Sequence, residues 1–255
     1  MHPVPLAALR DNYIWVIQDD RKLTVIDPGE ANPVLNYCQE HDTTVSFILI
    51  THHHHDHTGG IQILKKHFPH VQVIGPADLR MYTPDIPIHK DTKMVQTTHP
   101  KRTWHILHTP GHTMDHICYH CDEHFFCGDT LFSAGCGRAF EGQPSDLYDA
   151  FTQISKLPNN TVLYPAHEYT YQNCLFALRV DPNNPHLQQA TQEAREKTAQ
   201  KQPTLPTTLA REKNINPFLR THTTCIQNNL KQITDSSLTN PLEVFATLRK
   251  IKDNY

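Results

Sequence analysis

The stretch from Val45 to Gly60 constrains this chain more than any other. An apolar run, Val45 to Ile50, has the length of a buried strand. It stops at Thr51-His52-His53-His54-His55-Asp56-His57, and the pair Gly59-Gly60 then opens the way to a helix. A strand end suits chemistry because the sheet fixes the backbone while the following turn points several side chains into one cleft. Three imidazoles and a carboxylate in Thr-His-x-His-x-Asp-His, with two more histidines between them, exceed what one tetrahedral ion takes from a short loop, whereas two neighbouring ions could share them. Consecutive histidines also mark affinity tags and low-complexity tracts, but this run is internal and directly follows a strand. His53 and His55 alternate with the candidate ligands and read as spectators or as donors behind them.

Composition supports a search for metal. The chain of 255 residues contains 20 histidines, and its net charge of −3 gives no push toward nucleic acid. A hydrophobic share of 38% and a mean hydropathy of −0.54 suit a soluble globular protein. No run approaches the ~18 apolar residues of a membrane span. The opening Met1-His2-Pro3-Val4-Pro5-Leu6-Ala7-Ala8-Leu9-Arg10 lacks the features of a signal peptide, so a cytoplasmic protein is expected. Seven cysteines without framework spacing point to reduced thiols, and the lone pair Cys118/Cys121 to buried packing rather than a zinc ribbon.

Along the chain, strand after strand ends in His or Asp. Strands are expected over Tyr13 to Gln18 and Leu23 to Ile26, the latter running into Asp27-Pro28-Gly29. Asp27 is either an acceptor behind a metal-binding imidazole or an ordinary turn aspartate. Helices are expected over Val34 to His41, behind Asn32-Pro33, and over Gly60 to His67; Val71 to Ile74 is a strand. Residues 77–100 are polar and punctuated by proline, with no element assigned. Trp104 to Leu107 delivers Pro110-Gly111-His112, and a hairpin of Ile117 to His120 with His124 to Cys127 delivers Asp129. Ser145-Asp146 is expected to cap a helix over Leu147 to Leu157, and Thr161 to Tyr164 ends in His167. Beyond Glu168 the pattern turns helical: Tyr171 to Val180, Pro185 to Gln202, Thr223 to Ile233 and Pro241 to Asp253, with loops at Pro203 to Pro206 and Asn214 to Pro217 and no further strand. The expected division is residues 1–167 and a helical domain of residues 168–255.

These residues resemble the metallo-β-lactamase superfamily in type and order: Thr51-His52-x-His54-x-Asp56-His57, Gly111-His112-Thr113, Gly128-Asp129 and the strand-end His167. The resemblance implies an α/β fold, a four-layer αββα sandwich, here with a C-terminal all-helical domain. It implies a dinuclear centre in which His52, His54 and His112 hold one ion, Asp56, His57 and His167 the other, and Asp129 bridges. Within the superfamily the chain looks like the glyoxalase II (hydroxyacylglutathione hydrolase) family, on Leu9-Arg10-Asp11-Asn12-Tyr13, Ala134-Gly135-Cys136-Gly137-Arg138, Ala166-His167-Glu168-Tyr169-Thr170, Asn216-Pro217-Phe218-Leu219-Arg220 and Arg249 to Tyr255.

That likeness implies hydrolysis of S-(2-hydroxyacyl)glutathione, chiefly S-D-lactoylglutathione, in methylglyoxal detoxification. The attacker would be a hydroxide bridging two divalent ions: zinc first, with iron and manganese also accepted by such ligands. Asp56 could help to orient the water. A thiol leaving group with a pKa near ~8.5 needs little general acid, and no Ser or Cys nucleophile is required. Arg138, Tyr169, Arg249 and Lys252 would surround glutathione, the last two holding its glycine carboxylate. Some relatives carry Lys and Tyr where this chain has Arg138 and Phe140, which removes a hydroxyl and replaces a point charge by a fork. A monomer acting on a small molecule, away from membranes and nucleic acid, is expected. The alternatives are another superfamily enzyme, such as a mononuclear-iron glutathione persulfide dioxygenase using His52, His112 and Asp129, and a non-enzymatic His-rich metal buffer.

Overall fold

The computed structural model describes residues 2–80, 82–98, 101–235 and 238–255. It resolves into two compact units, Met1–His108 with Asp115–Gly128 and Thr109–Met114 with Asp129–Tyr255.

In the first unit, one sheet runs in the order β1 (Val4–Ala8), β2 (Asn12–Asp19), β3 (Lys22–Ile26), β4 (Thr44–Leu49), β5 (Gln72–Pro76), β6 (Ile86–Ile88). The first three strands form an antiparallel meander, and β3 to β6 are parallel. Parallel neighbours need a crossover, supplied by α1 (Asn32–His41) between β3 and β4 and by α3 (Ile61–His67) between β4 and β5. Such strands are buried on both faces and so read as continuous apolar runs. Ile14, Val16, Leu23, Val25, Ile48 and Val73 pack under Val34, Cys38, Ile61 and Leu64 of the two helices. Four further strands, β7 (Met94–Thr98), β8 (Lys101–His108), β9 (Ile117–Cys121) and β10 (His124–Gly128), form an antiparallel sheet. Tyr119 of β9 ties the sheets together: its buried hydroxyl is shared between the Ile50 and Ile74 carbonyls at 2.8 and 3.1 Å.

The second unit contains the hairpin β11 (Leu131–Phe132)/β12 (Gly135–Cys136), α4 (Pro144–Ile154), β13 (Val162–Pro165), α5 (Thr170–Val180), α6 (Pro185–Ala199), β14 (Thr207–Thr208), α7 (Leu209–Ile215), a 3-10 turn at Pro217–Leu219, α8 (Thr224–Thr234) and α9 (Pro241–Asp253). Asn184 and Asn240 cap α6 and α9, each followed by proline at the first helical position. The rings of Phe151, Phe218 and Phe245 meet with centroids 5.2–6.2 Å apart, and Phe176 stacks on Phe218.

Several expectations need correction. Residues 77–100 hold β6 and β7, while residues 81, 99 and 100 lie outside the described residues. Gln143, not Ser145, caps α4; Asp146 is the third helical residue and bonds back to the Gln143 amide at 2.7 Å in a capping box. Helix α6 stops at Ala199 rather than Gln202. The stretch after Glu168 is not purely helical, because β14 pairs with β13, and α7 forms where no helix was expected, its last two residues falling in the expected loop Asn214 to Pro217. All seven cysteines are thiols, and Cys118 and Cys121 are buried as expected. No helix among the described residues is long and apolar enough to cross a membrane.

Candidate metal centre

The end of β4 places its ligand-type side chains by a buried carboxylate. Asp27, only 4% exposed, accepts from the Thr51 amide and the Thr51 hydroxyl, both at 2.8 Å. Its Oδ2 lies 3.1 Å from Nδ1 of the fully buried His57. Asp27 is thus more than a turn residue: its carboxylate bonds Thr51 and sits against the Nδ1 edge of the buried His57 ring. The outward Nε2 of His57 is 3.4 Å from Asp56 Oδ2, and Asn12 donates to that same oxygen at 3.0 Å. Thr51 Oγ1 lies 3.0 Å from His52 Nδ1, and His52 Nε2 is 3.1 Å from His54 Nδ1.

The histidines between them part ways. His53 pairs with Asp115 at 2.8 Å, and His55 is exposed on the short helix α2 (His55–Thr58). Sequence reasoning missed His116, a buried ring stacked on His52 with centroids 4.9 Å apart. Gly128 makes that approach possible. It adopts φ +47°, and a Cβ there would sit 2.5 Å from Thr51 Oγ1 and 2.7 Å from His116 Nε2.

In the second unit, Asp129 stands between two imidazoles. Its Oδ2 is 3.4 Å from His112 Nε2, and its Oδ1 is 3.4 Å from His167 Nε2. His112 Nδ1 donates to the Arg138 carbonyl at 2.9 Å, which directs Nε2 toward Asp129. His167 stacks on Tyr169 with centroids 4.8 Å apart.

These spacings suit coordinated donors. Ligands held ~2.0–2.2 Å from a tetrahedral ion lie about 3.3–3.6 Å from one another. The four donor pairs, His52–His54, Asp56–His57, Asp129–His112 and Asp129–His167, are 3.1–3.4 Å apart. Neutral imidazole and carboxylate at such spacing form the donor set of a divalent metal. Each unit thus gathers part of the predicted set: His52, His54, Asp56 and His57 in the first, His112, Asp129 and His167 in the second.

The profile of the metallo-β-lactamase superfamily matches residues 8–167, and that described as hydroxyacylglutathione hydrolase C-terminus matches residues 168–255. A curated hydroxyacylglutathione hydrolase of Vibrio cholerae is 44% identical over 252 residues, covering 98% of each chain. The chain belongs to the hydroxyacylglutathione hydrolase family. Another relative of that name, from Nitrosomonas europaea, is 42% identical over 98% of this chain and 95% of its own. A solved structure of ETHE1 from Myxococcus xanthus, 23% identical, shares the fold with a TM-score of 0.65 over 99% of this chain and 98% of that one. The fold is that of the metallo-β-lactamase superfamily with the helical C-terminal domain of the hydroxyacylglutathione hydrolases.

The cations and the ring expected around glutathione in a hydroxyacylglutathione hydrolase lie in the second unit. Arg138 is exposed, its guanidinium beside Asp253 at 3.3 Å. Arg249 is 3% exposed and donates to the carbonyls of Cys136 and Gly137, while its other nitrogen pairs with Asp253 at 3.1 Å. Lys252 donates to Asn173 Oδ1 and stands 5.0 Å over the Phe176 ring. Burial, helped by the neighbouring Arg249 charge, pushes its ammonium down to about 8. Phe140 is 61% exposed with its ring edge-on to His112 at 5.3 Å. Burial drives the thiols of Cys136 and Cys174 up to about 12, leaving neither as a thiolate near neutral pH.

Proposed function

We propose that this chain hydrolyses S-(2-hydroxyacyl)glutathione, chiefly S-D-lactoylglutathione, to glutathione and the 2-hydroxy acid, as a step in methylglyoxal detoxification. The observation that carries the reading is Asp129, whose two oxygens each face a different imidazole, in a chain matched end to end by hydroxyacylglutathione hydrolases. In this reading His52, His54 and His112 would hold one divalent ion and Asp56, His57 and His167 a second, with Asp129 available to both. Zinc is the first choice, and iron and manganese suit the same donors. When bound, the ions supply Lewis acidity and a nucleophilic water near neutral pH, lowering its pKa from ~15.7 to about 7.

The chain's own residues do the rest. Asp27 and the Arg138 carbonyl hold His57 and His112 in one orientation each, so the centre is organised before substrate arrives. Asp56, held by Asn12, orients the attacking water. No cysteine is needed as a nucleophile, in keeping with the raised thiols. The departing glutathione thiolate, near a pKa of ~8.5, leaves with little proton donation. Arg138, Tyr169 and Lys252 contact glutathione, and Arg249 adds its charge to the glycine carboxylate from behind the Cys136–Gly137 carbonyls. We place the domain boundary at 167/168, supported by the two family matches, and read the protein as a cytoplasmic monomer.

The test is S-D-lactoylglutathione hydrolysis by the purified protein alongside elemental analysis. Rapid turnover with about two metal equivalents is expected. Absence of thioester cleavage by the metal-loaded protein sinks the reading, and oxygen uptake with glutathione persulfide in its place would establish a dioxygenase.

A further inference from the structure

The hairpin β11/β12 and the two residues that follow it, Gly137 and Arg138, link Asp129 to the expected glutathione site, and much of this hairpin's backbone is held by side chains from later in the chain. Asn216 Nδ2 donates to the carbonyls of Phe132 and Gly135 at 3.1 and 3.0 Å. Asn173 Nδ2 donates to the Ser133 carbonyl at 3.0 Å, and Arg249 donates to those of Cys136 and Gly137. The turn itself is held by Glu212 of α7. Its Oε1 accepts from the Ser133 hydroxyl at 2.7 Å and the Thr207 hydroxyl at 2.8 Å. Its Oε2 accepts from the Ala134 amide at 2.8 Å and Asn216 Nδ2 at 3.3 Å.

Two features set Glu212 apart from ordinary anchoring. Its side chain is 0% exposed, yet no Arg, Lys or His is among these partners. Burying a carboxylate without a cation is costly, and burial raises its pKa; an apolar residue would serve stability better. The amide it accepts belongs to Ala134, a non-glycine residue at φ 53°, a conformation that persists only where its surroundings impose it.

What the imposed turn controls lies at the hairpin's exit. The Gly137 amide donates to the Thr130 carbonyl at 3.1 Å, and a Cβ at Gly137 would lie 1.9 Å from the Asp129 carbonyl oxygen, so the exit rests directly on the Asp129 main chain. The next carbonyl, that of Arg138, receives the His112 Nδ1 proton. We propose that Glu212 is a positioning residue: through Ser133 and Ala134 it fixes the 131–138 hairpin, and through the hairpin it sets the orientation of His112, the main chain at Asp129 and the placement of Arg138. This deepens the thioesterase reading and rests on it for its catalytic consequence. It also gives the helical domain a part in organising the metal centre beyond binding glutathione.

The experiment compares wild type, Glu212→Ala, Glu212→Ser and Glu212→Gln by three readouts. These are the ring nitrogen resonances of His112 in the metal-free protein, metal stoichiometry, and kcat and KM for S-D-lactoylglutathione. In Glu212→Ala the Nδ1–H resonance of His112 is expected to move, and kcat to fall on the order of 10- to 100-fold, the cost of a misplaced ligand. Glu212→Gln is expected to restore both. Its amide oxygen keeps the Ala134 and Asn216 donors, while its NH2 group donates to the Ser133 and Thr207 hydroxyls after these rotate. If the alanine variant does not fold, the serine variant, whose cavity admits water to the stranded donors, gives the same reading. A folded alanine or serine variant with the wild-type His112 resonance and wild-type kcat overturns the proposal. Should wild type show no thioesterase activity, the proposed function fails, and the His112 resonances still decide whether Glu212 positions the ring.

Discussion

Replacing Asp27 by alanine tests how the ligand loop is held. The carboxylate makes two hydrogen bonds at 2.8 Å to Thr51 and approaches His57 at 3.1 Å, and all three side chains are at most 4% exposed. Stranding the buried Thr51 amide costs about 1–3 kcal/mol, and the second bond, which the hydroxyl can partly replace at His52, adds about 1 kcal/mol. Asp27→Ala should therefore lose about 2–4 kcal/mol in urea unfolding of the metal-free protein. Without the carboxylate beside its Nδ1 edge, the His57 ring loses the charge that favours a proton on Nδ1, and metal affinity should fall on the order of 10- to 100-fold in competition with a chromogenic chelator. Asp27→Asn, which keeps an acceptor for the Thr51 amide, should recover most of the stability and less of the affinity. Unchanged stability and affinity in the alanine variant would refute the reasoning.

Other outcomes follow from the same geometry. His54→Ala and Asp129→Ala should each lower thioester hydrolysis by orders of magnitude while near-native circular dichroism persists. Lys252 is held down to about 8 by burial and by Arg249, so its positive charge is present below pH 8 and lost above it. KM for S-D-lactoylglutathione should accordingly rise between pH 7.5 and 9, by roughly the worth of one charge-assisted contact, while KM for a small thioester without glutathione stays level. Phe140→Tyr at an exposed site should lower KM for glutathione thioesters without changing the melting temperature. Gly128→Ala forces a Cβ within 2.5 Å of Thr51 Oγ1 at a positive φ and should destabilise the protein by about 2–4 kcal/mol in chemical unfolding.

The sequence made the strands of the first sheet and their polar ends easy to read. Val45 to Ile50 is apolar on both faces because a parallel strand is covered twice, and the ligand types appear where that cover stops. β6 and β7 lacked this signal because they are short and largely polar, Ile86–Ile88 and Met94–Thr98. Helix α7 hid for a different reason: the middle of its three buried positions, Leu209, Glu212 and Ile215, is a carboxylate. Thr208, whose hydroxyl accepts from the Arg211 amide, was the available starting signal. Every metal-type side chain at a strand end could be named from the sequence. His116, Asn173 and Glu212 could not, because their partners lie far away in the chain, as with Glu212 and Ser133 or Lys252 and Asn173. Gly128 and Ala134 carry their meaning in backbone angles that only the folded chain displays.

The central claim is tested most directly by exhaustive chelation followed by stepwise return of zinc, with S-D-lactoylglutathione hydrolysis and bound metal followed together. Activity should vanish with the metal and return in full as about two equivalents rebind. A protein that hydrolyses the thioester at its original rate while elemental analysis finds no metal would contradict the account.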